Sequence, residues 1–181
     1  HLHAEDDLGV DADHVSDGDV ITVGAVDVEV VHTPGHSPGS VTYAVGDDAL
    51  ITGDTLFHES VGRVELGVDA GIEDTDVEAN AAALYDALQR LRDRPGDPLV
   101  LPAHHPGSPD PPEALRMSTV ERRNPGLQRD REAFVDELAG DVPEQPPNFE
   151  RIKRINAGAE DLDPDEEFED LEMGPNNCAA D

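Results

Sequence analysis

Cysteine and lysine are nearly missing from this 181-residue chain, and each shortage excludes something. Cys178 is the single cysteine, so no disulfide can form within the chain and a reducing cytosol is the expected compartment. Lysine and arginine together number 12 against 42 aspartates and glutamates, and Lys153 is the only lysine. The resulting net charge of −30 repels phosphate backbones and anionic bilayers, so neither nucleic acid nor membrane is an expected partner. No apolar run reaches the roughly 18 residues of a membrane span, and no basic-then-apolar signal segment is visible. Methionine does not open the chain, which is expected to be a piece of a longer one.

What is abundant is carboxylate. So much like charge destabilises a compact state by self-repulsion unless counter-ions screen it, and in molar salt the Debye length shrinks to about 3 Å. A halophile's protein is the expectation. The length suits one domain with a core of moderate size.

Alternation of apolar and polar side chains across VITVGAVDVEVV (20–31), around Gly24-Ala25, predicts two antiparallel strands. VTYAV (41–45) and ALIT (49–52) flank Gly46-Asp47-Asp48 and predict a second hairpin. From residue 74 the period changes: Val77, Ala81, Leu84, Leu88 and Leu91 fall on one helical stripe, with Thr75 or Asp76 to cap it and Arg94-Pro95-Gly96 to stop it. PLVLPA (98–103) reads as a buried strand, and further helices are expected at 111–122, 130–140 and near 149–156. This order predicts a layered α/β (α+β) domain. Residues 1–157 are assigned to that domain and its helical arm, and 158–181 to an acidic tail.

Chemistry concentrates where strands end. In VVHTPGHSPGS (30–40) a strand runs into a turn whose Pro34-Gly35 and Pro38-Gly39 pairs hold the backbone around His36. ALITGDTLF ends a strand at Gly53 and presents Asp54, and PLVLPAHH ends one at His104. Any one of these alone would signify little. Together, two imidazoles and a carboxylate on a rigid rim form the donor set that zinc or a transition metal takes.

With their flanks, HTPGHSPGS, TGDTLF, VGR (61–63) and LPAHHPGS (101–108), these residues resemble the metallo-β-lactamase fold, most closely its glyoxalase II-like and persulfide dioxygenase-like branch. NPGLQ (124–128) and PPNFERIKRIN (146–156) are similar to the C-terminal region of persulfide dioxygenases and rhodanese fusions. The resemblance covers roughly residues 20–157 and implies an αββα sandwich, present mainly as its C-terminal half.

That family's first metal motif, His-x-His-x-Asp-His, should lie well upstream. HLHAEDD at residues 1–7 imitates it, but Glu5-Asp6 stands where Asp-His belongs, and around Asp13-His14 the leading histidines are replaced by Gly9 and Asp11. His14 and His36 are also only 22 positions apart, too few for the helix and strands that intervene in the family. HLHA is therefore read as a strand following the missing motif, DADHVSDGD as a loop, and His1, His3 and His14 as non-ligands.

The resemblance implies a metalloenzyme of one of two kinds. In a persulfide dioxygenase, one Fe(II) is held by an upstream histidine, His36 and Asp54, leaving positions for O₂ and a low-molecular-weight thiol persulfide, whose outer sulfur is oxidised to sulfite. In a glyoxalase II-like hydrolase of thioesters, two Zn(II) share Asp54, with His36 on one and His104 on the other. The VGR-x-x-L form of the loop after Asp54 favours the first, with Arg63 read either as binding an anionic thiol carrier or as a surface arginine paired with one of the many carboxylates. A third reading is a non-catalytic half-domain that packs against a partner. His58 divides evenly between site residue and exposed residue, His32 and His105 are read as neighbours, and Tyr43 as core. A homo-oligomer and a rhodanese domain in the parent chain are compatible with this reading. Two further expectations are that His36, Asp54 and His104 converge, and that the chain alone folds poorly or bares an apolar sheet face.

Overall fold

The structure, a computed structural model, describes residues 2–3, 13–65, 76–105, 114–140, 151, 154–155, 160 and 179–180. Two short strands, β1 (Leu2–His3) and β2 (His14–Val15), pair in parallel. HLHA thus contributes a strand as expected, whereas His14 lies in a strand instead of a loop. His14 itself is exposed.

The main sheet has six strands in the order β3 (Val20–Val23), β4 (Val26–His32), β5 (Val41–Val45), β6 (Ala49–Gly53), β8 (Leu99–Pro102) and β9 (Leu115–Arg116). β3 to β6 are an antiparallel meander. Gly24 and Gly46 turn its hairpins with φ of 65° and 52°, a conformation that costs glycine nothing. β6 and β8 are parallel, so the chain must cross over between them. Helix α1 (Val77–Arg92) makes that crossing. The Asp76 carboxylate accepts from Glu78 N–H and caps its first turn.

β-pairing places Val31 beside Thr42, and Ala44 beside Leu50 and Val100, on one face of the sheet. Ala81, Leu84, Leu88 and Leu91 of α1 are buried in the same core, on the predicted stripe, and Val77 packs at its margin. Each buried leucine contributes about 1.5–3 kcal/mol. α2 (Met117–Arg123), a 3₁₀ turn (Pro125–Gln128) and α3 (Arg131–Gly140) add Met117, Val120, Leu127, Phe134 and Leu138. The predicted helix over 111–122 starts later, because Leu115–Arg116 are taken up by pairing with β8. Residues 111–113 lie outside the described set, as do most of 149–156, where Arg151, Arg154 and Ile155 are helical. The acidic run from residue 161 to 172 also lies outside it, but beyond that run β10 (Ala179–Ala180) pairs antiparallel with β7 (Val61–Gly62).

The other face of the sheet carries Tyr43, Ile51 and Leu101 in one row and Val45, Ala49 and Leu99 in the next. These side chains are half-buried, and Ile51 is 44% exposed. Val30 in the first row is fully buried, so this apolar layer, still partly in contact with water, is a packing surface incompletely covered among the described residues. The 181-residue chain alone in dilute buffer is therefore expected to bind a hydrophobic dye and to melt over a broad range. A sharp melt without dye binding at low salt would show that this face is closed.

Candidate metal centre

The turn that carries His36 is laid directly on α1. A Cβ at Gly35 would stand 2.5 Å from Leu84 Cβ and 2.8 Å from Asn80 O, at a φ of +133° that side chains rarely adopt. Only glycine lets the turn approach so closely. Thr33 N–H donates to Ser40 O across the turn, and Ser40 Oγ accepts from Ser37 N–H. His32, the last residue of β4, donates from Nε2 to Pro38 O at 2.7 Å and braces the turn from below.

Asp54 follows Gly53, whose φ of 52° bends the chain away from β6. Beneath it lies a buried hydroxyl cluster: Thr33 Oγ1 is 3.0 Å from Thr55 Oγ1 and 3.3 Å from Thr42 Oγ1. The cluster ties the start of the His36 turn to the residue after Asp54. Ala103 N–H donates to Gly53 O at 3.0 Å, holding the end of β8 against the end of β6 and setting His104 beside the carboxylate.

The structure brings His36, Asp54 and His104 together. His36 Nδ1 donates to Arg63 O at 2.9 Å; a carbonyl only accepts, so in the neutral ring Nε2 is the lone-pair nitrogen. That Nε2 faces Asp54 Oδ2 at 3.8 Å. His104 Nδ1 donates to Asp54 Oδ1 at 2.6 Å. His36 and Asp54 are largely buried, while the His104 side chain is 54% exposed.

A lone-pair nitrogen and a carboxylate oxygen facing each other are donors that one cation can share. Donors sharing one ion at about 2.0–2.1 Å each lie no more than about 4.2 Å apart, so the His36–Asp54 pair fits one metal. Among the described residues no group of three or more His, Cys, Asp or Glu side chains forms a complete metal-holding set. The pair is thus a partial face, with His104 attached to it through Asp54.

Arg63 is 3% exposed, and its guanidinium is paired with Glu65. The Arg63 side chain is thus engaged with Glu65 inside the protein, and its carbonyl accepts from His36 of the site. Glu65 also accepts from Val64 N–H, and Asn80 of α1 donates to Val64 O at 2.8 Å, so the segment bearing that carbonyl is held from two sides. Gly62 lies closer still: a Cβ there would be 2.0 Å from Asp54 O and 3.2 Å from His36 Cβ.

His58 is buried, not exposed, at 6% accessibility. Its Nε2 donates to Val100 O at 3.0 Å, and its Nδ1 has no hydrogen-bond partner among the described residues. Its ring lies 5.2 Å from that of His105. Burial, with His58 and His104 nearby, lowers the His105 pKa below the ordinary imidazole value. Asn124, which the sequence reading used only as part of the NPGLQ segment, is fully buried. Its amide donates to Phe57 O and Ser60 O, and its Oδ1 accepts from Gly126 N–H. The signal was present as a polar residue within a compact motif, but spacing alone cannot show which loop such an amide reaches.

Residues 4–104 match the Metallo-beta-lactamase superfamily. The chain belongs to that family. Similar curated proteins include Hydroxyacylglutathione hydrolase of Xanthomonas campestris pv. campestris, 36% identical over 64% of this chain and 39% of the relative. Persulfide dioxygenase ETHE1, mitochondrial, of Homo sapiens is 34% identical over 70% of this chain and 46% of its own length. The chain therefore spans less than half of each. A metallo-beta-lactamase crystal structure from Staphylococcus aureus subsp. aureus COL shares the fold, with a TM-score of 0.74 at 24% identity, covering 91% of this chain and 51% of that one. ETHE1 from Myxococcus xanthus gives 0.62 at 27% identity, over 81% and 60%. The expected mixed α/β metallo-β-lactamase fold is thus the fold found. No helix among the described residues is long and apolar enough to cross a membrane.

Proposed function

We propose that this metallo-β-lactamase-fold chain carries part of the active site of a persulfide dioxygenase-like enzyme that oxidises a low-molecular-weight thiol persulfide to sulfite. The observation that carries this reading is the 2.6 Å hydrogen bond from His104 Nδ1 to Asp54 Oδ1. It gives His104 a role as holder of the carboxylate, which supports reading the His36–Asp54 pair as the face of a single metal ion. Bound there with one further histidine, Fe(II) would supply the redox chemistry that joins O₂ to the outer sulfur. His36 is orientated for that role by the Arg63 carbonyl, and Asp54 by His104. Such partners outside the ligand set typically fix ring orientation and ligand basicity. The acidic surface sets a condition: the −30 charge calls for assays in high KCl.

The second reading, a thioester hydrolase, is supported by the likeness to Hydroxyacylglutathione hydrolase. In it two zinc ions supply Lewis-acid activation of water, and His104 would serve the second ion through Nε2, the ring nitrogen not used toward Asp54. The experiment is to load the full-length protein with iron or with zinc and offer each a thiol persulfide and a thioester. Iron-loaded protein should consume O₂ with the persulfide, and His104→Ala should weaken this less than Asp54→Ala does. Thioester hydrolysis by the zinc form, without O₂ uptake by the iron form, would install the hydrolase instead.

A further inference from the structure

Residues 55–62 form a small hairpin between the two donors. Leu56 and Val61 are bridged, Phe57 N–H donates to Ser60 O, and Gly62 N–H donates to Thr55 O. The hairpin begins one residue after Asp54 and ends one residue before Arg63, whose carbonyl orientates His36. Whatever holds it therefore sets both sides of the His36–Asp54 pair. Two buried side chains do so from outside the ligand set. Asn124 grips the hairpin tip at both ends, with its Nδ2 3.1 Å from Phe57 O and 2.7 Å from Ser60 O. His58, within the tip, donates to Val100 O of β8, the strand that delivers His104.

We propose that Asn124 and His58 are positioning residues, which pin the 55–62 hairpin to the C-terminal turn and to β8 and so set the spacing of the His36 and Asp54 donors. The inference rests on the metal-centre reading for its consequence, and on the hydrogen bonds alone for the pinning. A merely structural Asn124 would be the cap of the 3₁₀ turn, because its Oδ1 accepts from Gly126 N–H. Serine caps about as well as asparagine but is too short to reach the two carbonyls. Asn124→Ser therefore keeps the cap and removes the pin.

The test uses the full-length protein in high KCl with cobalt(II) as probe. Amide hydrogen exchange is read at Phe57 and Gly62, against α1 amides as an internal control. In Asn124→Ser, exchange at Phe57 and Gly62 should rise at least about tenfold while α1 is unchanged, and cobalt affinity should fall about 10- to 100-fold. His58→Ala should do the same and covers the case in which Asn124→Ser fails to fold, while His58→Gln, which keeps an N–H for Val100 O, should restore most of the affinity. Unchanged exchange at Phe57 and Gly62 in both variants overturns the pinning. Faster exchange with unchanged cobalt affinity overturns the positioning role. If instead wild type and Asp54→Ala bind cobalt equally, the metal reading fails. The positioning claim is then decided by whether Asn124→Ser disturbs the His104–Asp54 hydrogen bond, seen in the ring ¹⁵N shifts at one fixed pH.

Discussion

Asp54→Ala is expected to lower metal affinity by more than about 100-fold, beyond the 10- to 100-fold that follows loss of a residue outside the ligand set. The substitution acts twice. It deletes the oxygen that His36 Nε2 faces at 3.8 Å, and it removes the acceptor that holds His104 at 2.6 Å. Fold stability should change little by comparison, because the carboxylate stands on the rim and its contacts are with other site residues. Equilibrium titration with cobalt(II), followed by its visible absorption, measures the loss, and circular dichroism checks the fold. Affinity within threefold of wild type would mean that the His36–Asp54 face holds no metal.

His36, Asp54 and His104 were legible in the sequence because each stands at the end of a strand, and strand ends on one rim of a sheet converge once the strands pair. The register that brings them together follows from alternation in β5 and β6, where buried Thr42, Ala44, Leu50 and Thr52 recur at a period of two. The α1 stripe was readable for the same reason at a helical period. The parts that could not be read are those made by contacts distant along the chain. Nothing in HES marks His58 as buried, since its burial depends on Val100, 42 positions later. The reach of Asn124 to Phe57 and Ser60 spans more than 60 positions. Arg63 reads in the sequence either as a binder of an anion or as the partner of a carboxylate, and among so many carboxylates only the fold shows that Glu65, two residues on, pairs with it. Very short strands such as β7, β9 and β10 escape for another reason: two residues carry no period, and only their partners define them.

Gly62→Ala should disable the centre nearly as thoroughly as loss of Asp54, although the new group is one methyl and carries no charge. The added Cβ would lie 2.0 Å from Asp54 O, far inside van der Waals contact, and 3.2 Å from His36 Cβ. The obstructing atom is backbone, so no side-chain rotation relieves the clash. Either the Asp54 peptide moves away from the hairpin, or the hairpin shifts and carries the Arg63 carbonyl away from His36 Nδ1. Both routes spoil the spacing of the two donors. Overpacking of this kind costs about 1–3 kcal/mol, tolerable for the domain but not for a site that depends on donor placement. The expected outcome is a folded protein with cobalt affinity lowered by at least about 100-fold, the scale expected for Asp54→Ala. Wild-type affinity in Gly62→Ala would show that the β7 hairpin does not govern the metal face.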